Sequence, residues 1–458
     1  MSPTDLAIVG GGPAGQAAAE AVCGAGLSVT IIDEQAALGG QILRAPPAAF
    51  SVDSWLSGGA YRALKAQRDR AGALPGLDFR GRTSVLGLFP TGGGFDLRLS
   101  GPDGGGGLAA RRVLVAAGCY DLPVALPGWT TPGAMSAGAI QAFTKSQQIV
   151  PGQRFVLAGT HPLQLILAQQ LVAAGGCVAA VLFAQPASSV LSLLGHAPAV
   201  IGHLDKLAEA GRALLALRRA GVPILFGRSV TAVAGEAEVT GVEVTGGDVI
   251  ACDRVGFCYG FLPQSDLARA ADAAFHWAAP HGGWAVDHDP WMRSSVAGLY
   301  IAGEVAGVAG APAALARGAI AGLGVLIDEG RLSQAEAEGR AARVRRRLAS
   351  LDRFAAVLDR AADPTPYLPG TTPDTVVCRC EDITEAVLAE TLAAAPGIGH
   401  PNALKLACRA GMGLCQGRYC EHALVRRVAA YTGQAPSAAL AFTARFPARP
   451  ARVGDLIG

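Results

Sequence analysis

The stretch Leu6-Ala-Ile-Val-Gly10-Gly-Gly-Pro-Ala-Gly15 decides the fold. Its apolar start reads as a strand that runs straight into a glycine turn, and an alanine-rich helix over residues 16–25 follows. Strand, turn and helix form the context that a Gly-x-Gly-x-x-Gly motif needs. Gly10 permits the tight turn, Gly12 lets the backbone approach a pyrophosphate, and Gly15 lets the helix pack close to the strand. Pro13 and Ala14 belong to the same cofactor-binding turn, and the exposed amides at the helix start meet the phosphate charge. A second strand, residues 27–32, ends in Asp33-Glu34, about twenty residues on, where an acid can hydrogen-bond a ribose hydroxyl. This complete unit binds a dinucleotide.

Further segments point to FAD. Gly39-Gly40-Gln41-Ile lies just beyond the acids, and Val113-Leu-Val-Ala-Ala117-Gly118 is a strand ending in a small-residue turn. Both resemble the two-dinucleotide-binding-domain flavoproteins, in which such segments line the FAD; Val85 is counted with them. Downstream, Gly298-Leu-Tyr-Ile-Ala-Gly303-Glu304 resembles the second FAD signature of that superfamily, whose terminal acid contacts the ribityl chain. Glu304 stands where Asp is usual.

Between these segments the pattern repeats. A strand over 154–158 leads to Gly159-Thr-His-Pro-Leu-Gln164, a helix to 174 and a strand over 178–183. His161 and Gln164 occupy the second and third glycine positions, where they block backbone approach and close helix packing. The second strand ends in Phe183-Ala184, without an acid for a ribose or an arginine for a 2′-phosphate. NAD(P)H is therefore not an expected substrate. Disulfide reduction is not expected either, because no closely spaced cysteine pair follows Gly39-Gly40 and Cys177 stands alone.

Ten cysteines are present, and Cys23, Cys119, Cys177, Cys252, Cys258 and Cys408 are dispersed in apolar contexts that suit small core residues. The other four form two pairs, Cys378-Arg-Cys380 and Cys415-Gln-Gly-Arg-Tyr-Cys420. Four thiolates at such spacing can hold Zn or an iron–sulfur cluster. Glycines 411, 413 and 417 supply turns and amides that could reach cluster sulfides, and the stretch resembles the bacterioferritin-associated-ferredoxin-like 2Fe-2S domain.

The fold expected is α/β: a Rossmann-like, split FAD domain with an inserted nucleotide-binding-like domain and a small C-terminal 2Fe-2S domain. A length of 458 residues agrees with several domains. The boundaries expected are 1–122 and 253–330 for FAD, 123–252 for the insertion, 331–372 for a helical linker and 373–458 for the cysteine domain. Residues 188–217 read as helical, suited to packing or partner contact. A helix over 333–362, with Val344, Leu348, Leu351 and Leu358 at helical spacing, ends at a run of prolines. Its arginines read as a solvated face. The net charge of +2 gives no sign of nucleic-acid binding. The apolar stretch 163–183 is broken by glutamines and Gly175-Gly176, so no membrane span is expected, and the N-terminus lacks the features of a signal peptide. A cytoplasmic location is the expectation.

The order of these segments, with Asp33-Glu-Gln, Leu126-Pro-Gly-Trp129 and Gly411-Met-Gly-x-Cys-Gln-Gly-Arg418, resembles one bacterial family over essentially the whole chain. It includes the A subunits of opine oxidases, the alpha subunits of heteromeric proline and hydroxyproline dehydrogenases, and the B subunit of hydrogen cyanide synthase. The resemblance implies an FAD-dependent oxidoreductase acting on CH–NH bonds, in which a separate glycine-oxidase-like FAD subunit holds the amino acid, imino acid or opine. The present type of chain would relay electrons through FAD and cluster to an acceptor such as a quinone. A small third subunit, FMN at a subunit interface and a nucleotide in the inserted domain are all compatible with it. No catalytic residue for amine deprotonation stands out. Two other readings compete: a self-sufficient NAD(P)H-dependent reductase of a protein partner, which His161 and Gln164 oppose, and a non-catalytic scaffold. Within the family, the glycine-oxidising cyanide synthase is a further alternative.

Overall fold

The computed structural model describes residues 3–47, 49–52, 56, 58–191 and 195–457. Strand β1 (Thr4–Val9) feeds helix α1 (Pro13–Cys23), and β2 (Val29–Ile32) returns parallel to β1 with every residue buried. β3 (Leu77–Arg80) extends the parallel sheet. β4 (Ser84–Thr91), β5 (Gly94–Gly101) and β6 (Gly104–Val115) then form an antiparallel meander. In β5, Phe95, Leu97 and Leu99 are buried while Asp96 and Arg98 are exposed, the period-two pattern of a sheet with one wet face. The first half of β6 pairs with β5, and its second half lies between β1 and the strand Leu299–Ile301. Residues from both sides of the insertion thus share one sheet.

Helix α1 packs against the helix Ala311–Asp328, and small residues set their separation. A Cβ on Gly318 would lie 2.1 Å from the Ala14 carbonyl oxygen, so no larger residue fits. Among the described residues, Ala311–Asp328 is the one helix long and apolar enough to cross a membrane, and 67% of it is buried in the protein. Behind it lies the helix Gln334–Ala361, started by a capping box between Ser333 and Glu336. This segment is more than the linker expected: Ala337 and Ala341 are completely buried and Leu351, Phe354 and Val357 nearly so. Arg343, Arg346 and Arg347 are solvated as expected, whereas Arg345 stacks 4.1 Å over Trp291.

The inserted unit is a parallel sheet in the order Ile224–Phe226, Cys177–Phe183, Arg154–Gly159, Arg254–Cys258, Ala134–Ser136. Because Arg254–Cys258 sits inside it, the chain returns to the first unit only after Cys258, and a boundary at 252/253 falls one strand early. Of the stretch 188–217, the helices Ser188–Leu191, Ala197–Ile201 and Leu204–Arg219 are formed, and residues 192–194 lie outside the described residues.

The cysteine module comprises the short strands Val376–Cys378 and Ile383–Thr384 and the helices Glu385–Ala394, Pro401–Cys408 and Glu421–Thr432. Leu388, Leu404, Leu424, Val425 and Val428 form its fully buried core. The module ends earlier than residue 458. The chain then runs back onto the first unit, where the Ala448 amide donates to the Leu86 carbonyl at 2.8 Å, Asp455 accepts from Ser100, and Phe446 meets Phe89 edge-on.

Candidate functional site

The glycine turn after β1 is built by close approach. A Cβ on Gly10 would lie 2.3 Å from the Ala116 carbonyl oxygen and one on Gly15 would lie 2.1 Å from the Gly10 carbonyl oxygen. The turn is braced by Gln16, whose buried amide donates to the Gly11 carbonyl at 2.8 Å. A Cβ on Gly12 would lie in ordinary contact with the Gly40 Cα, at 3.7 Å. Gly12 caps α1 with no side-chain hydrogen bond and with Pro13 in the first turn, which leaves first-turn amides available to an anion. Gly39 donates to the Gly11 carbonyl at 3.0 Å, and a Cβ on Gly303 would lie 3.1 Å from that of Ala14. The segments expected to line FAD therefore converge on the start of α1, and the donor set fits a pyrophosphate.

The two acids after β2 part company. Asp33 accepts from the Gly11 amide at 2.5 Å and the Gln35 amide at 2.7 Å, and burial pushes its carboxyl up against those bonds. Glu34 turns away to Ser84 and Arg449, at 3.3 and 3.2 Å. Val85 is packed in the core of the first unit. Ala117 and Gly118 follow β6 directly, with Gly118 at φ +79° and its carbonyl accepting from Gln264. Gln41 is exposed, and its carbonyl accepts from Lys145 of the inserted unit at 3.2 Å.

Glu304 accepts from the Gly310 amide at 3.2 Å and from the Cys119 thiol at 2.8 Å. Burial and this carboxylate push the Cys119 thiol well above its usual range, so the proton stays on sulfur. Apolar context alone puts Cys119 among the core cysteines; its position directly after Gly118 is the signal for a cleft residue. Cys177 is exposed rather than core, whereas Cys23, Cys252, Cys258 and Cys408 are buried as expected.

The second glycine turn is closed. Gly159 keeps the tight turn at φ +155°. His161 stands edge-on to Phe261 with ring centres 5.0 Å apart, and its Nδ1 accepts from the Leu163 amide at 3.2 Å. Burial, helped by nearby His281, pushes His161 down to about 3, so it offers no charge to a phosphate. The Gln164 side chain is completely buried, and Gln185 reaches from the Thr160 carbonyl towards the Ala361 carbonyl at 2.7 and 3.4 Å. The end of the long helix thereby covers the mouth of the inserted sheet.

The four clustered cysteines come together. The sulfurs of Cys380 and Cys415 are 3.6 Å apart and those of Cys378 and Cys380 3.9 Å apart. Cys378 is hydrogen-bonded by Cys420, which together with the Gly411 amide at 3.3 Å pulls its thiol down to about 5 and holds Cys420 up. Burial pushes Cys380 up to about 12. A Cβ on Gly413 would lie 2.3 Å from the Cys380 sulfur. The sulfurs run as a chain, Cys420, Cys378, Cys380, Cys415, and among the described residues no group of three or more His, Cys, Asp or Glu could hold a metal ion as placed.

The module is fixed to the flavin side through the residue after Cys420. Glu421 accepts from Arg269 at 3.1 Å, the Trp284 indole at 2.7 Å and the Phe442 amide at 2.9 Å. Trp129 donates its indole proton to the Val376 carbonyl at 2.6 Å, which gives the Leu126-Pro-Gly-Trp129 stretch a structural task.

Residues 4–319 match the pyridine nucleotide-disulphide oxidoreductase family. Over its full length the chain is 31% identical to the A subunit of opine oxidase from Rhizobium meliloti, covering 99% of that protein. It is 32% identical to the hydrogen cyanide synthase component HcnB of Pseudomonas aeruginosa, over 90% of each chain. Among solved structures, L-proline dehydrogenase from P. horikoshii shares the fold with a TM-score of 0.71 at 21% identity, over 99% of this chain and 79% of that one. Thioredoxin reductase of T. acidophilum matches 72% of this chain, and 99% of its own, with a TM-score of 0.53 at 22% identity.

Proposed function

The chain belongs to the pyridine nucleotide-disulphide oxidoreductase family and, over its whole length, to the family of opine oxidase A subunits; from that premise we propose that it is the FAD- and 2Fe-2S-containing electron-transfer subunit of a heteromeric dehydrogenase or oxidase. Its substrate is an amino acid, imino acid or opine, oxidised at a CH–NH bond on a glycine-oxidase-like partner, and its acceptor is a non-NAD carrier such as a quinone. A cytoplasmic site of action goes with this reading.

One observation carries it: four thiols are gathered in adjoining pairs on a module clamped to the flavin unit through Glu421. Two thiolates on one tetrahedral metal with bonds near 2.3 Å stand about 3.8 Å apart, and the Cys380–Cys415 separation of 3.6 Å fits that spacing. Adjoining pairs suit a two-iron cluster better than a single ion ringed by four ligands. When bound, the flavin would take up an electron pair and the cluster would pass electrons on singly. The chain's own residues do the holding. First-turn amides of α1 would receive the diphosphate, Asp33 fixes the glycine turn, and Glu304 holds the Cys119 proton. The Gly411 amide favours thiolate at Cys378. His161 and Gln164 deny a nicotinamide entry through the inserted unit.

The test is anaerobic purification with the native partners, followed by flavin and iron analysis, low-temperature EPR, and reduction by proline, hydroxyproline, octopine, nopaline and glycine. Flavin and cluster signals that respond to one of these substrates are expected. An iron-free preparation with full activity would sink the cluster, and rapid bleaching by NADH of the chain alone would replace this reading with that of a reductase.

A further inference from the structure

A cavity of about 430 Å³ opens between the hairpin Phe275–Trp277/Trp284–Val286, the turn that follows Glu304 and the helix Gln334–Ala361. Three separate elements form its walls, and its volume falls within the range of small-molecule sites. Phe261 and Trp277 contribute aromatic surface, and Ala355 and Ala356 an apolar helix face.

Its charges decide what it can hold. Arg317 is bonded to Asp352 at 2.9 Å and to the Gly303 carbonyl at 3.1 Å, so this pair is neutral and the guanidinium is spent. His276 is paired with Asp287 at 2.6 Å. That leaves Asp359, whose contact is His281 at 3.8 Å, beyond hydrogen-bond reach. Burial pushes His281 down to about 4, so it is neutral and brings no countercharge, and burial pushes Asp359 up to about 7. One carboxyl group without a countercharge therefore faces a cavity with apolar and aromatic walls. A metal ion is not the match, since no three suitable ligands gather there among the described residues. A carboxylate-bearing ligand is not the match either, because among the described residues no cation in the cavity is free to meet it.

We propose that this cavity binds a small organic ammonium ion without a carboxylate, its charge on Asp359 and its carbon body against Phe261 and Trp277. Burial of the carbon body against such walls adds to the ion pair. The site is thereby distinct from that of the amino-acid, imino-acid or opine substrate, which carries a carboxylate.

Calorimetric titration of the purified, flavin-loaded protein with n-butylammonium chloride tests the proposal, with n-butanol and 4-aminobutyrate as counterparts. Saturable one-site binding is expected, at least tenfold tighter than either counterpart, and Asp359→Asn is expected to weaken it at least tenfold. Ala356→Trp fills the same space from an exposed helix position without touching the carboxyl, and it should abolish binding while the unfolding transition stays in place. Equal binding of n-butanol, undiminished binding by both variants, no saturable binding, or binding seen only in flavin-free protein and displaced by FAD would each overturn the proposal.

Discussion

Gly15 has no room for a methyl group, because the Gly10 carbonyl oxygen lies 2.1 Å from where its Cβ would stand. Gly15→Ala should therefore lose bound flavin and cost roughly 1–3 kcal/mol, read by the flavin-to-protein ratio and by urea unfolding. His161 carries a pH prediction. Its folded-state pKa, about 3, lies below the ordinary 6.5, so its contribution to stability is fully present above about pH 6.5 and is lost as pH falls towards 3. Inside that window one such group tilts stability by about 1.4 kcal/mol per pH unit. His161→Asn, which keeps an acceptor for the Leu163 amide, should flatten the acid limb of the stability profile by that amount; an unchanged limb in urea titrations at pH 4 to 6 would refute it. The tight approaches at Gly10 and Gly15 and the place of His161 in the second turn were legible in the sequence because each depends on a local shape. The partners of Asp33 and Glu34 were not, since each depends on how the following loop leaves the sheet and, for Glu34, on Arg449 more than 400 residues away.

Elements differ in how openly they announce themselves. The helix Gln334–Ala361 is readable from apolar spacing and from Ser333 three residues ahead of Glu336, and Ser333→Ala should cost about 1 kcal/mol in equilibrium unfolding. What spacing does not reveal is that its most deeply buried residues are Ala337 and Ala341, which a polarity pattern scarcely marks. The strand Arg254–Cys258 falls to the wrong unit on sequence alone for a related reason, because membership of a parallel sheet is settled by partners distant in sequence. In the cysteine module the quartet is plain from spacing, while the need for glycine at 413 comes from the Cys380 sulfur crowding it. Gly413→Ala should lower the iron-to-flavin ratio severalfold while leaving flavin content unchanged; equal loss of both would show that the two sites do not assemble separately.

At the scale of the molecule, the tail after residue 444 does what no domain boundary suggested. Arg449, 6% exposed at its side chain, reaches Glu34 and Asp266, while Ala448 and Asp455 bind the meander sheet. A chain ending at Ala444 should keep its flavin, yet exchange amide hydrogens faster both in β4 to β6 and across residues 376–432. Faster exchange in the meander alone would mean that the strap does not steady the cysteine module. The strap was invisible in the sequence because its contacts span almost the entire chain. Family resemblance points to two cofactors, and only the folded chain shows what ties the first unit to the cysteine module.

That strap also imposes an order of birth. The flavin unit lacks the sheet strand Leu299–Ile301 until that stretch has left the ribosome, and the strap emerges later than the four thiols. While the strap is still being made, the four thiols already exist but the belt that restrains their module does not. Any group that the four thiols take up thus has a natural interval for delivery between completion of the cysteine loop and the docking of Arg449, and the strap acts as a clasp that fastens afterwards.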